Sequence, residues 1–444
     1  MTNVLQEQHW DVVVVGAGPA GMAAATAAAR QGKRVAVVDE NAATGGQIWR
    51  RGLSDETDAL DPARKRTTDA FAASGATLLH GRRVVGAPAA GVLDTWQDGA
   101  TSVERLRYGK LVIATGARER FLPFPGWTLP GVYGAGGLQS LVRGGYDIHG
   151  KRVVVAGTGP LLIAVAAHLK QDGATVLAIC EQASLRQLFP FGLRLWNRFG
   201  KLRQAVSLMR QLRGVKQRRG TWVVAAHGFD RLEAVELTDG KRRWMERCDL
   251  LACGFHLVPN TELPSLLGCR LEHGNVAVDA LQRTSVMSVL CAGEPTGIAG
   301  VDSALLQGEI AGLVAAGRED LAQKLVKRGN AERRFGTAMD MAFRLRPELL
   351  KLADAKTIVC RCEDVRYGEL AAMAAEQNTW TDAKLQTRCG MGPCQGRICG
   401  PAVHALFGWK NESVRPPIFP IPLAALASEL SPVAPQSDVL QETR

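Results

Sequence analysis

The chain has 444 residues, a formal net charge of +11 and a hydrophobic content of 46%. This length allows two to four domains with a sizeable core, which excludes a wholly disordered chain. No Lys/Arg-rich arm interleaved with aromatic residues is present, so we expect no nucleic-acid partner. The N-terminus lacks the basic stretch and apolar run of a signal peptide, and runs such as Val12–Val15 are too short to span a bilayer. We therefore expect a cytoplasmic protein, with peripheral membrane association left open, whose ten cysteines are thiols or metal ligands.

Residues 11–40 predict a nucleotide-binding βαβ unit. The predicted elements are a buried strand over Asp11–Val15, the turn Gly16-Ala17-Gly18-Pro19-Ala20-Gly21, a helix over Pro19–Arg30 and a strand over Arg34–Val38. In such turns the first glycine makes the bend, the second admits a pyrophosphate and the third lets the helix pack on the strand. The helix N-terminus also attracts phosphate. An acidic residue about twenty positions on accepts the ribose hydroxyls, and we expect Glu40 in that role with Asp39 beside it.

Three later segments indicate that the nucleotide is FAD. They are the loop Gly45-Gly46-Gln47, the turn Ala114-Thr115-Gly116 after a strand, and the strand Val289–Glu294, which ends in Gly293-Glu294. Together they resemble the segments at which the chain returns to FAD in two-dinucleotide-domain flavoproteins. The predicted FAD residues are Gly16, Ala17, Gly18, Pro19, Ala20, Gly21, Asp39, Glu40, Gly46, Gln47, Ala114, Thr115, Gly116, Gly293 and Glu294.

Residues 151–181 repeat the βαβ pattern. The predicted elements are a strand over Arg152–Ala156, a helix over Leu161–Gln171 and a strand over Thr175–Cys180. Gly157 and Gly159 take the first two glycine positions and Glu181 the acidic one, but Leu162 stands at the third. Leucine is larger than the helix–strand contact at that position usually allows. The repeat therefore predicts a second dinucleotide fold, and it leaves open whether Gly157, Gly159 and Glu181 hold NAD(P), ATP or nothing.

Residues 194–219 are strongly basic, and apolar residues such as Trp196 and Phe199 recur among them every three to four positions. This spacing predicts one amphipathic helix with a cationic face. We favour the interpretation that the cationic face is simply exposed to solvent while the apolar residues of the helix pack into the core. The alternative is a surface that docks on a partner protein or a membrane.

Five of the ten cysteines fall within residues 360–399, and no Cys-x-x-Cys pair occurs in the chain. A disulfide reductase needs a dithiol against its flavin, so that activity is disfavoured. Soft thiolates on two short turns predict a metal or iron–sulfur site, with zinc as the alternative. The predicted ligands are Cys360, Cys362, Cys394 and Cys399. Cys389, which precedes Cys394 by the same spacing that separates Cys394 from Cys399, is interpreted as a spare small apolar side chain.

The cysteine segment VCRCEDV…TRCGMGPCQGRICG resembles the bacterioferritin-associated-ferredoxin-like (BFD-like) [2Fe–2S] domain. The segments FPGWTLPGV (124–132), GGQIWR (45–50) and AGEPTGIAG (292–300) resemble the FAD/[2Fe–2S] subunit of the opine oxidase, hydrogen cyanide synthase and D-hydroxyproline dehydrogenase group. The resemblance covers residues from about 10 to 405. It implies an α/β fold with two Rossmann-like dinucleotide-binding domains, as in disulfide-reductase-like flavoproteins, plus a small helical [2Fe–2S] domain.

The resemblance further implies the larger subunit of a heteromeric dehydrogenase that oxidises a secondary amine, an opine or an imino acid such as D-hydroxyproline. This chain would pass electrons from a glycine-oxidase-like FAD subunit to an acceptor. An FMN shared with the partner and a small ferredoxin-like subunit are left open. The alternatives are a self-sufficient NAD(P)H-dependent FAD/iron–sulfur oxidoreductase, a hydrogen cyanide synthase subunit that acts on glycine, and a flavin-bearing scaffold. No catalytic side chain is predicted, since cofactors carry such chemistry.

The expected organisation has five parts. They are an FAD-binding domain over 1–118 and 245–325, an NAD(P)-like domain over 119–244, a helical linker over 326–355, a BFD-like domain over 356–410 and an extended proline-rich tail over 411–444.

Overall fold

The computed structural model describes residues 8–50, 62–196, 198–410 and 413–427. The strands are β1 Gln8–Val15, β2 Val35–Asp39, β3 Thr77–His80, β4 Arg82–Ala89, β5 Val92–Gln97, β6 Glu104–Ile113, β7 Ala117–Glu119, β8 Val132–Gly134, β9 Arg152–Thr158, β10 Thr175–Glu181, β11 Lys216–Arg219, β12 Trp222–His227, β13 Ala234–Thr238, β14 Arg243–Arg247, β15 Leu250–Phe255, β16 Leu257–Pro259, β17 Leu271–Glu272, β18 Asn275–Val276, β19 Val289–Cys291, β20 Ile358–Cys360 and β21 Val365–Arg366. The helices are α1 Pro19–Ala29, α2 Pro62–Ala72, α3 Ala135–Arg143, α4 Leu161–Gln171, α5 Leu185–Trp196, α6 Phe199–Gln211, α7 Glu262–Leu266, α8 Val301–Ala315, α9 Glu319–Ala342, α10 Tyr367–Ala375, α11 Trp380–Thr387, α12 Cys399–Phe407 and α13 Leu423–Ala427.

The first unit is a seven-stranded sheet in the order β3-β2-β1-β6-β5-β4, with β19 paired to β6. The apolar run in β1 is at most 8% exposed, as expected of a parallel strand that is covered on both faces. Helix α8 lies very close to α1. A Cβ on Gly308 would lie 2.1 Å from the Ala20 carbonyl oxygen, and a Cβ on Gly312 would lie 2.1 Å from that of Ala24. Glycines on α8 therefore let the two helix backbones touch beneath the predicted nucleotide turn.

The second unit is a five-stranded sheet in the order β11-β10-β9-β15-β8, beside a three-stranded sheet of β12, β13 and β14. The expected domain boundary at residue 245 is wrong, because β15 pairs in parallel with β9 and β8 inside this second sheet. The chain crosses back to the first unit through β16, which pairs antiparallel with β7. These two short strands form the connection between the units.

Two expectations about helices need correction. The linker expected over 326–355 begins earlier, since α9 starts at Glu319, and a 3-10 turn over Pro347–Lys351 completes it. The single helix expected over 194–219 is instead the end of α5, all of α6 and the strand β11, which pairs with β10. Most apolar residues of that run are not core residues, since Trp196 and Phe199 are exposed.

The cysteine-rich unit consists of the β20–β21 hairpin and helices α10, α11 and α12 around a small core of its own. It rests on the second unit, where Trp127 Nε1 donates to the Ile358 carbonyl at 2.6 Å and the Arg361 guanidinium lies over the Trp127 ring. Of the expected tail, residues 413–427 are described and the remainder lies outside the described residues. None of the helices in the described ranges has the length and apolar character needed to cross a bilayer.

Candidate functional site

The first glycine turn has no room for side chains. Gly16 has a φ of +105°, and a Cβ there would lie 2.3 Å from the Ala114 carbonyl oxygen. A Cβ on Gly21 would lie 1.7 Å from the Gly16 carbonyl oxygen. Gly46 closes over the turn, since its Cβ would lie 3.0 Å from the Gly18 Cα. Backbone therefore meets backbone here, which is the arrangement needed for close approach to a pyrophosphate.

The two acidic residues that end β2 have different environments. Asp39 is 8% exposed, and its carboxylate accepts from Ala17 N at 2.6 Å, from Asn41 N at 2.7 Å and from Asn41 Nδ2 at 2.8 Å. A carboxylate has about four lone-pair directions, so roughly one remains for a ligand. Glu40 is exposed and forms an ion pair with Arg83 at 3.1 Å. Asp39 is thus built into the turn, whereas Glu40 is tied to Arg83 and makes no hydrogen bond to the backbone of the turn among the described residues.

The later predicted segments converge on the same turn. Ala114 N donates to the Val15 carbonyl at 2.8 Å, and Ala292 N donates to the Ile113 carbonyl at 2.9 Å. Because of the second contact, Glu294, which follows the strand β19, lies close to the turn. Burial raises the pKa of Glu294 to about 7, because its carboxylate is desolvated at the base of a cleft.

That cleft has a volume of about 2110 Å³. The predicted residues that line it are Gly16, Gly18, Pro19, Ala20, Asp39, Glu40, Gly46, Gln47, Ala114, Thr115, Gly116, Gly293 and Glu294. Ala17 and Gly21 do not line it, because one donates to Asp39 and the other packs against Gly16. The opposite wall belongs to the second unit, with His168 of α4 and Lys201 of α6 among its residues.

The second glycine turn also has an acidic partner, and a β-bulge brings that residue into position. Strand β10 contains a bulge between Val176 and Ala178, which shifts the pairing so that Glu181 lies opposite Gly157. The Glu181 carboxylate accepts from Gly159 N and Ala183 N, both at 2.8 Å. Asp39 likewise accepts from its own second neighbour, and its bond to the glycine turn goes to Ala17, one position earlier in the turn than the equivalent of Gly159. Glu181 is therefore the counterpart of Asp39.

The crevice above this second turn is filled by the chain itself, through residues 340–346, which we term the closing segment. The Thr158 hydroxyl donates to the Phe343 carbonyl at 3.1 Å, and Gln182 Nε2 donates to the Arg344 carbonyl at 3.1 Å. Thr158 is 4% exposed and Gln182 is fully buried. Gly157, Gly159 and Glu181 are not among the described residues that line the cleft. The closing segment thus covers the ends of β9 and β10, where a second dinucleotide would lie in this fold.

Four of the five clustered cysteines line one cavity of about 270 Å³ in the cysteine-rich unit. They are Cys360, Cys362, Cys394 and Cys399. Its other lining residues are Phe121, Arg361 and Ile398, so the walls are largely apolar. A Cβ on Gly392 would lie 2.3 Å from the Cys362 Cβ, which shows why glycine is needed beside this thiol. Four soft donors facing one water-poor space suit an iron–sulfur centre.

Cys389 lies behind this cavity and does not line it. The side chain is fully buried, and its sulfur lies within 4.8 Å of those of Cys360 and Cys399. Because the thiols of Cys389 and Cys399 both donate to Cys360, the pKa of the Cys360 thiol is held far below its ordinary value. Three cysteines are therefore close enough to share a metal, while cavity lining separates Cys389 from the predicted four.

The cleft and the cysteine cavity adjoin through the segment after the Ala114-Thr115-Gly116 turn. Arg118 lines the cleft and Phe121, three residues on, lines the cysteine cavity. Arg118 Nε donates to the carbonyl of Arg397, which lies between Cys394 and Cys399 in the chain, at 3.1 Å. Its Nη1 donates at 2.7 Å to Asn260, whose amide in turn donates to the Thr115 carbonyl at 2.8 Å. The sequence prediction missed Arg118, Asn260 and Arg397, although Arg118 lies only two positions after the turn.

Comparison with known proteins supports both sites. Residues 10–317 match the pyridine nucleotide-disulphide oxidoreductase family model, and residues 358–409 match the BFD-like [2Fe-2S] binding domain. The chain is 33% identical to the A-type subunit of opine oxidase from Rhizobium meliloti, over 95% of this chain and 99% of that one. It is 32% identical to hydrogen cyanide synthase subunit HcnB of Pseudomonas protegens, over 93% and 96% of the two chains. The chain belongs to this family of A-type opine oxidase and HcnB subunits.

A solved structure shares the fold of this family member. L-proline dehydrogenase from P. horikoshii superposes with a TM-score of 0.67 at 18% identity, covering 95% of this chain and 80% of that one. Such low identity shows the fold alone, which is the expected pair of dinucleotide-binding units with a cysteine-rich unit. The predicted fold class is thereby confirmed.

The chain is therefore a flavin-dependent oxidoreductase with two cofactors, FAD and a [2Fe–2S] cluster. The residues fit both. The glycine cradle, in which a Cβ on Gly16 or Gly21 would overlap backbone, and the partly buried carboxylate of Glu294 suit the phosphates and hydroxyls of FAD. The cavity with four thiols suits the cluster, since cysteine thiolates hold such clusters.

Proposed function

We propose that this chain is the FAD- and [2Fe–2S]-bearing subunit of a heteromeric dehydrogenase that oxidises a secondary amine, an opine or an imino acid. The substrate would be oxidised on a separate flavoprotein subunit. This chain would accept the electrons and pass them to an acceptor. Each of the named relatives is one subunit of an oxidase or a synthase, which supports the need for a partner.

The observation that carries the proposal is the adjacency of the two cofactor sites. Glu119 lines the cleft and Phe121 lines the cysteine cavity, so the two linings are only two positions apart in the chain. Two residues span at most about 7 Å of extended chain. Arg397 belongs to the cysteine loop and also lines the cleft. Two cofactor sites that adjoin within one chain suit relay of electrons.

The closing segment opposes the alternative of a self-sufficient NAD(P)H-dependent enzyme. A nicotinamide nucleotide would have to displace the contacts of Phe343 and Arg344 with Thr158 and Gln182. Breaking these buried hydrogen bonds leaves polar groups unsatisfied, at a cost of about 1–3 kcal/mol each. Glu181 would still be engaged by the backbone of its own turn.

We assign roles to this chain's residues as follows. Asp39, with one lone-pair direction free, would hold the adenosine ribose, and the turn from Gly16 to Gly21 would hold the pyrophosphate. Glu294 would bind the ribityl chain. Its raised pKa allows it to donate as well as accept near neutral pH. Cys360, Cys362, Cys394 and Cys399 would hold the cluster.

Bound FAD accepts two electrons at once, and a [2Fe–2S] cluster carries them one at a time. Arg118 ties the turn beside the cleft to the loop beside the cavity, which would hold the two groups in fixed relative positions. Glu119 is also fixed, since it accepts from Gly136 N at 2.8 Å and Gly137 N at 2.9 Å at the start of α3. The connecting segment is thus held at both ends.

Steady-state assays of the purified chain, with and without its partner, test the proposal. We expect no rapid turnover of NADH or NADPH with an artificial acceptor. With a co-purified flavoprotein we expect acceptor reduction by one of D-hydroxyproline, an opine, proline, sarcosine or glycine. Rapid NAD(P)H turnover by the isolated chain would refute the proposal. Glycine as the sole active substrate would favour the hydrogen cyanide synthase alternative.

A further inference from the structure

Helices α5 and α6 expose a row of large apolar side chains. Leu185, Phe189, Leu193 and Trp196 recur at three- to four-residue spacing on α5, and Phe199 begins α6. Each is between 61% and 79% exposed. Residues this far apart in a helix lie on one face. We refer to these five residues as the α5–α6 face; Phe199, at its α6 end, also lines the cleft.

This face is not a misplaced core stripe, because α5 has a second apolar side. Phe191 packs against Phe335 and Phe343 with ring centroids 5.3 and 5.6 Å away, and Leu188 joins the same cluster. The core requirement of α5 is therefore met by its inner side. A helix that is apolar on two sides needs a second apolar environment.

The charged residues in the chain segment that carries the face are all of one sign. Residues 182–229 contain ten Lys and Arg and no Asp or Glu. Arg186 and Arg194 are exposed on α5, and neither makes an ion pair with any residue that the structure describes. Two other cations of the run are neutralised, since Arg198 pairs with Glu332 and Lys201 pairs with Asp302. The free positive charge therefore lies beside the exposed apolar row.

This combination favours a lipid surface over a protein. Unpaired arginines beside an apolar row suit a surface that carries many negative charges, whereas a second copy would bring two acid-free cationic segments together. Trp, Phe and Leu on one side with arginines beside them are instead typical of a helix that lies in a membrane interface. We propose that the α5–α6 face binds the surface of a bilayer that contains anionic phospholipid. This inference does not depend on the proposed function.

Vesicle co-sedimentation of the holoprotein tests it. Vesicles of phosphatidylcholine alone are compared with vesicles that also contain phosphatidylglycerol, at low and at high salt. We expect binding to the anionic vesicles only, weakened by salt because the attraction is screened. Each cation near an anionic surface contributes about 1 kcal/mol, so Arg186→Gln with Arg194→Gln should weaken binding on the order of thirtyfold. Leu193→Glu should weaken it about tenfold or more, because apolar burial is lost.

Met287→Glu is the matched control, since Met287 is 92% exposed in the loop before β19. It adds the same charge outside the face and should bind vesicles almost as the unaltered chain does. Flavin and cluster absorption spectra must be unchanged in every variant, which separates loss of binding from loss of folding. Equal binding to neutral and anionic vesicles, or none to either, would overturn the proposal. So would a homodimer or a tight partner complex that Leu193→Glu disrupts while vesicle binding persists.

Discussion

Replacing Asp39 by Asn tests which carboxylate at the end of β2 holds the nucleotide. The sequence pattern favours Glu40, whereas the hydrogen bonds favour Asp39. Asparagine has the same shape as aspartate but only one oxygen, so it cannot accept from both Ala17 N and Asn41 N. One of these backbone groups would then face an amide NH2 group.

The expected effect follows from these contacts. A hydrogen bond to a charged group contributes about 1.5–3 kcal/mol, and an unsatisfied buried N–H costs about 1–3 kcal/mol. We expect Asp39→Asn to lower the free energy of unfolding by about 2–3 kcal/mol and to weaken FAD binding about 10- to 100-fold. Glu40→Gln is the matched control. Glu40 pairs with Arg83 at the surface, and such pairs contribute at most about 1 kcal/mol. We therefore expect Glu40→Gln to weaken FAD binding by no more than about fivefold.

Titration of FAD into the FAD-free chain, followed by flavin fluorescence or calorimetry, measures both variants against the unaltered protein. Thermal unfolding of the same samples reports the stability term separately. If Glu40→Gln weakened FAD binding more than Asp39→Asn did, the reasoning from hydrogen bonds would be refuted and Glu40 would be the ribose ligand.

Two further predictions concern the cluster and Glu294. Cys399→Ala should abolish the [2Fe–2S] absorption and EPR signals, whereas Cys389→Ala should retain them, because Cys389 does not line the cavity; the reverse pattern would overturn the ligand assignment. Burial raises the pKa of Glu294 from 4.5 to about 7, so the folded FAD-free chain binds one more proton than the unfolded chain between these values. Its stability should fall as pH rises through that window, by at most about 3 kcal/mol. Glu294→Gln removes this dependence, so its Tm advantage over the unaltered FAD-free chain should grow between about pH 5 and about pH 8; a constant difference would contradict the burial argument.

The fold class and both cofactors could be predicted because their signals are local. The turn from Gly16 to Gly21 sits between a buried strand and an alanine-rich helix, and each glycine has a steric reason that the spacing already indicates. The clustered cysteines likewise need only short turns to meet. The family matches confirm these expectations.

The remaining features depend on pairing and packing, which spacing does not reveal. The bulge between Val176 and Ala178 moves Glu181 by one residue, and an ungapped repeat places Glu181 opposite Glu40 instead of Asp39. The helix expected over 194–219 fails at its end, because residues 216–219 pair with β10 as a strand. Phe343 of the closing segment lies 185 residues after Thr158 in the chain, and no local sequence pattern indicates a contact over such a separation.

The closing segment also carries a thermodynamic consequence. It is continuous with the Pro347–Lys351 turn and, a few residues later, with β20, which ends at Cys360. The residues that fill the crevice and the first residues that hold the cluster are therefore joined by one short stretch of chain. A molecule that enters the crevice would displace the closing segment. If that displacement alters cluster binding, then by reciprocity loss of the cluster alters the affinity of the crevice by the same factor. The second nucleotide fold would in this way report on whether the iron–sulfur unit is assembled.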